Sequence, residues 1–174
     1  NHGGAMEGHT LRGFQGLGTG LFAGNNLNRN FPEGDGVQIF LTFDVSGVPA
    51  GKIESAVLRS ESVRVTGSPF EDLGVLQAEE VRYDGFSSAL WNLTPPNNGA
   101  ACTLSRLAAG PFRCDISGPV QRSLDDSYRY VQFRVRLDQP GDGDGEQDLV
   151  AFFKRDSNTN KPGLFLLDVT VQPN

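Results

Sequence analysis

Two segments of strict apolar–polar alternation constrain this chain more than anything else in it. In residues 37–45 every odd position is apolar (Val37, Ile39, Leu41, Phe43, Val45), with Gln38, Thr42 and Asp44 on the other side. In residues 128–137, Val131, Phe133, Val135 and Leu137 share one side, and Tyr128, Tyr130, Gln132, Arg134 and Arg136 share the other. Successive side chains of a strand project to opposite faces, so this period of two specifies half-buried β-strands. Further extended segments are expected over 52–65, 75–83, 148–154 and 164–171. Turn signals at 46–51, 66–69 and 95–99 separate them, whereas 90–109 resists a clear assignment. One short helix is expected near 118–125, with Pro119 in its first turn and Val120 and Leu124 as an i,i+4 apolar pair. The pattern predicts an all-β, antiparallel, jelly-roll-like β-sandwich of about 8–9 strands. A length of 174 residues suits one domain with a substantial core.

Several function classes drop out. Asp and Glu outnumber Lys and Arg, 21 to 15, which argues against nucleic-acid binding, a task that normally requires a basic patch. No run of eighteen apolar residues is present, so no membrane-spanning helix is expected. The only histidines, His2 and His9, lie in a glycine-rich start, and no serine has a base at a recognisable spacing. No enzyme is expected.

Cys102 and Cys114 are the only cysteines. They read either as a disulfide or as two buried free thiols. An acidic, turn-rich β chain favours the disulfide and an oxidising compartment. A loop of this size would stabilise the fold by roughly 2–3 kcal/mol.

Residues 1–35 differ in character from 36–174. Phe14, Leu17, Leu21 and Phe22 are set among Gly13, Gly16, Gly18, Gly20 and Gly24. Glycine weakens a strand by itself but permits close backbone approach. Such a segment is expected to serve as an inter-subunit strand, added to the open edge of a neighbour's sheet. The sequence opens on Asn1 without the apolar region of a signal peptide, so a leader is expected to have been removed or the boundary cut.

The run from Phe43 through Asp44, Val45, Ser46, Gly47, Val48, Pro49, Ala50, Gly51, Lys52 and Ile53 to Leu58 resembles the opening of DNRLRE-type domains. So does the late run Val131, Gln132, Phe133, Arg134, Val135, Arg136, Leu137, followed by an acidic loop and Leu149, Val150, Ala151, Phe152, Phe153. Gly67, Ser68, Pro69 and Phe70 followed by Leu73 and Gly74 fit a related group, although the DNRLRE string itself is absent. The resemblance spans about residues 36–172. It implies an extracellular, carbohydrate-binding-module-like β-sandwich of bacterial or archaeal surface proteins.

Two surface constellations stand out. Asp142, Asp144, Glu146 and Asp148 recur at every second position among glycines. That pattern suits a calcium loop, for which oxygen ligands on a flexible backbone are needed, or else a solvated acidic hairpin turn. Tyr128, Tyr130, Trp91 and Arg134 could stack on and hydrogen-bond a sugar, or else be covered by another segment. The function expected first is a non-enzymatic structural subunit of the cell surface that polymerises with itself. The alternative is a carbohydrate-binding module that takes a polysaccharide.

Overall fold

The computed structural model describes residues 2–3, 6–12, 21–28, 31–49, 51–60, 63–99, 101–152 and 165–172. Among these, twelve strands run in chain order: β1 (His2–Gly3), β2 (Met6–Arg12), β3 (Leu21–Asn28), β4 (Phe31–Asp44), β5 (Ile53–Ser60), β6 (Val63–Thr66), β7 (Leu76–Val81), β8 (Ala101–Ser105), β9 (Phe112–Asp115), β10 (Tyr130–Leu137), β11 (Asp148–Phe152) and β12 (Leu166–Val171). They form two antiparallel sheets. The smaller is ordered β1-β12-β5-β9, and the larger β6-β11-β3-β4-β10-β7-β8, with β2 also paired to β4. The chain is therefore the all-β sandwich that the alternation predicts, with more strands than eight or nine. The excess has identifiable sources. The segment 52–65 divides into β5 and β6, which enter different sheets, and the glycine-rich start contributes β1, β2 and β3.

The alternation decides the core. Ile39, Leu41 and Phe43 of β4 and Val131, Phe133, Val135 and Leu137 of β10 pack with Ala56 and Leu58 of β5 and Leu167 and Val169 of β12 in one buried cluster. The expected helix is α2 (Ser117–Asp125). Ser117 N–H donates to Asp115 Oδ1 at 2.7 Å, which satisfies one of the helix's free amides. Val120 is fully buried and Leu124 packs against the core. The Ser117 hydroxyl also accepts from Ala56 N–H at 2.8 Å and moors the helix to β5. A single-turn helix, α1 (Pro69–Asp72), and two 3₁₀ turns, Ser88–Asn92 and Pro96–Gly99, add to it.

β4 runs unbroken from Phe31, and β3 pairs with it from Gly24↔Val37 to Asn28↔Phe31. Leu21 and Ala23 belong to the chain's own core. Gly24 explains why a glycine-rich segment serves here. Its φ is +125°, and a Cβ would lie 2.2 Å from the Asp148 carbonyl oxygen, so β3 approaches β11 in a way that only glycine permits. Strand β2 continues along the same edge of β4, from Arg12↔Val37 to Met6↔Phe43, while β10 occupies the opposite edge.

Cys102 on β8 and Cys114 on β9 form a disulfide, which settles the choice against free thiols. It ties an edge strand of one sheet to an edge strand of the other. Among the described residues no helix is long and apolar enough to cross a membrane.

Candidate functional site

The acidic loop between β10 and β11 folds back on α1. Leu73 carbonyl accepts from Gln139 N–H at 3.0 Å, and Asp138 accepts from Val75 N–H at 3.0 Å and from the Gln77 amide. On the other side the loop is held to β3, where Asn25 Nδ2 donates to the Glu146 carbonyl at 3.3 Å and Gln147 Nε2 donates to Asn26 Oδ1 at 3.1 Å. These anchors bring Asp142 and Asp148 together with Asp72 of α1, one carboxylate oxygen of each lying within 4.8 Å of the others.

Asp144 and Glu146, the other two expected cation ligands, are not in that group. Asp144 Oδ1 accepts from Glu146 N–H at 2.7 Å, and Asp142 Oδ1 accepts from Asp144 N–H at 3.3 Å. Alternate positions in this loop thus fold it through side-chain-to-backbone bonds. Asp72 lies outside the acidic loop, and the sequence pattern does not point to it. Ser68, Pro69, Glu71 and Asp72 carry the signature of a helix start, but nothing local shows which loop that turn will face.

Asp148 is the unusual member. It is 1% exposed, and its Oδ1 accepts from Ser68 N–H at 2.6 Å. Its Oδ2 has no hydrogen-bond partner. Burial pushes its carboxyl above the usual range, the Ser68 amide opposes that, and the charges of Asp72, Asp144 and Asp142 push it further up. The close approach of residues 66–69 requires Gly67, with φ +71°. A Cβ there would lie 2.0 Å from the Gln147 carbonyl and 2.4 Å from Asp148 Oδ1.

The four sugar-binding candidates differ in exposure. Tyr128 and Tyr130 are exposed, at 49% and 43%. The Arg82 guanidinium lies over the Tyr128 ring at 4.1 Å, and that of Arg129 over Tyr130 at 5.1 Å. Arg82 is held by Asp126 at 3.1 Å, and Arg129 by Asp44 at 2.7 Å. Arg134 is covered and Trp91 is half-buried. The segment carrying Leu90, Trp91 and Leu93 lies on the outer side of the large sheet, where Phe40, Val81 and Leu90 form a second apolar cluster with Tyr83, Trp91 and Leu93 packed against it. Arg134 is 7% exposed beneath it, paired with Glu79 at 2.6 Å and donating to the Trp91 and Leu93 carbonyls at 3.3 and 2.9 Å. Gln132 is bound in the same layer by Thr42 and the Tyr83 backbone. The polar side of β10 is therefore an interior polar layer along most of its length.

Of the expected assembly residues, Leu21 is buried in the chain's own core and Phe22 is half-buried beside it on β3. Phe14 and Leu17 lie outside the described residues. The edge of β4 over residues 38–43 is paired by β2 and by no other described strand.

No protein-family model matches the sequence, and no curated protein is similar to it.

Proposed function

We propose that the protein is a non-enzymatic, extracellular structural subunit that polymerises by strand exchange, β2 of one copy lying on the β4 edge of the next. The observation that carries this reading is the register from Met6↔Phe43 to Arg12↔Val37. A seven-residue strand, β2, covers residues 38–43 of that edge, where no other described strand pairs. Eight residues separate it from β3, and Gly13, Gly16, Gly18 and Gly20 are half of them.

An identical strand from a neighbour makes the same main-chain hydrogen bonds as the chain's own, so exchange loses little contact energy. Each copy then offers a strand at one place and accepts one at another. A head-to-tail contact of that kind does not close on itself unless its rotation forms a ring, and otherwise extends as a fibre. The disulfide suits an oxidising, extracellular setting, as does the resemblance to DNRLRE-type surface domains.

Sedimentation of the full chain against a variant lacking residues 1–12 tests the reading. The full chain is expected to form multimers whose size grows with concentration. The truncated chain is expected to be monomeric and to bind a synthetic peptide of residues 1–12. Multimers of the truncated chain, or a full chain that stays monomeric at every concentration, would refute it.

A second reading, a carbohydrate-binding module, keeps one specific support: the exposed Tyr128 and Tyr130 rings. It requires that Tyr128→Ala or Tyr130→Ala abolish binding to a polysaccharide without changing stability. Absence of binding by the intact protein across a broad glycan panel removes it.

A further inference from the structure

We infer that the junction of α1 and the acidic loop binds a calcium ion, with Asp72, Asp142 and Asp148 as its carboxylate ligands. Two independent observations meet there. The first is geometric. One oxygen from each carboxylate lies within 4.8 Å of the others. Calcium binds oxygens at about 2.3–2.6 Å, so two ligands of one ion can be separated by up to about 5 Å. The second is an unmet requirement. Asp148 is 1% exposed, yet its Oδ2 has no donor. A buried carboxylate oxygen is normally hydrogen-bonded or paired, because leaving it bare is costly. Among the described residues no arginine or lysine pairs with Asp72, Asp142 or Asp148. Three carboxylates held this close repel one another unless a cation stands among them.

Calcium fits the surroundings better than magnesium. Calcium accepts six to eight oxygens in irregular arrangements, whereas magnesium demands a near-ideal octahedron and keeps most of its water. Here the ligands come from a one-turn helix, a glycine-bearing loop and the first residue of β11. Backbone carbonyls and water would complete the shell. The ion would join segments about seventy residues apart in the chain and fasten the loop's return into the large sheet. This inference is independent of how copies assemble.

The test uses the full chain, stripped with EDTA, dialysed and titrated with calcium chloride. Isothermal calorimetry is expected to show one site per chain. Calcium at about a hundred times its Kd is expected to raise Tm by about 5–11 °C for a chain of this size. Asp142→Asn and Asp72→Asn, both at exposed positions, are expected to weaken calcium by at least about tenfold through the lost ligand charge. Asp148→Asn is expected to do the same while keeping an acceptor for Ser68. Asp144→Asn is the comparison, since Asp144 lies outside the group of three while its charge still reaches Asp148, and is expected to weaken calcium clearly less than Asp142→Asn does. Absence of heat and of any Tm change at millimolar calcium would overturn the inference. So would equal losses in Asp144→Asn and Asp142→Asn, which would mean diffuse attraction to the acidic loop, or magnesium binding as tightly as calcium.

Discussion

Replacing Arg134 with methionine removes the centre of the buried polar layer and keeps most of the side chain's apolar stem. The guanidinium is 7% exposed and its partner Glu79 is 5% exposed. Nε donates to Glu79 Oε2 at 2.7 Å, and Nη1 donates to the carbonyls of Leu93 at 2.9 Å and Trp91 at 3.3 Å. Removing one member of a buried ion pair costs about 3–5 kcal/mol. Here Glu79 keeps Arg136, which donates to it at 2.8 and 3.1 Å, so the loss falls at the lower end, about 3 kcal/mol. For a chain of this length that corresponds to a Tm about 6–12 °C lower. Urea unfolding of the wild type, Arg134→Met, Glu79→Gln and the double variant measures the effect. The double variant is expected to be less destabilised than the sum of the singles, because each single leaves a buried partner uncompensated. A cost below about 1 kcal/mol for Arg134→Met would refute the reasoning. If Arg134 served mainly to hold a sugar, stability would stay unchanged and binding alone would suffer.

Other outcomes follow from the same structure. Replacing Cys102 and Cys114 with serine is expected to cost about 2–3 kcal/mol, read as a Tm lower by about 4–12 °C, since the bond closes only a short loop; an unchanged Tm would mean that the loop is constrained without it. Acid is expected to destabilise the fold. Hydrogen bonds from Ser46 and Arg129 hold the Asp44 carboxyl at about 2, while for Glu79 burial pulls upward but the Arg136 and Arg134 hydrogen bonds outweigh it and lower it. Both groups are depressed in the fold, so their contribution is present above the ordinary carboxylate range and is lost as pH falls through 3.8 towards 2 for Asp44, and below 4.5 for Glu79. Tm measured against pH for Asp44→Asn is expected to fall less steeply between these limits than for the wild type, and coincident curves would contradict the assignment.

The strands that carry the core were legible because β4 and β10 alternate without interruption, and alternation is a local property. The helix at Ser117–Asp125 was legible for the same reason, through Pro119 and the Val120–Leu124 pair. What covers the far side of β10 was not. Residues 84–99 lack any period, so nothing in them announces that Leu90, Trp91 and Leu93 will lie over Arg134 and turn an apparent solvent face into an interior layer. The acidic loop shows the same limit in another form. Its regular spacing singled out Asp142 and Asp148 but also Asp144 and Glu146, because spacing alone does not distinguish a carboxylate that folds the turn from one aimed across it. Asp72 could not be added without knowing that α1 packs beside that turn. Glycine hid the third feature. The run from Leu21 to Asn25 pairs with β11, and from Gly24 onward β3 pairs with β4 as well, a close approach that Gly24 permits.

Strand exchange is tested most directly by mixing two variants that each carry one cysteine besides the Cys102–Cys114 disulfide, Glu7→Cys and Thr42→Cys, whose positions face each other in the β2–β4 register. Neither variant alone can make the cross-strand bond, so any bond between them must join two molecules. If β2 of one copy lies on β4 of another, oxidation of the mixture will give a disulfide-linked heterodimer on a non-reducing gel, and neither variant oxidised alone will give it. If the mixture stays monomeric under oxidation while the Glu7→Cys/Thr42→Cys double variant closes the bond within one chain, β2 belongs to its own sandwich and polymerisation by strand exchange is excluded.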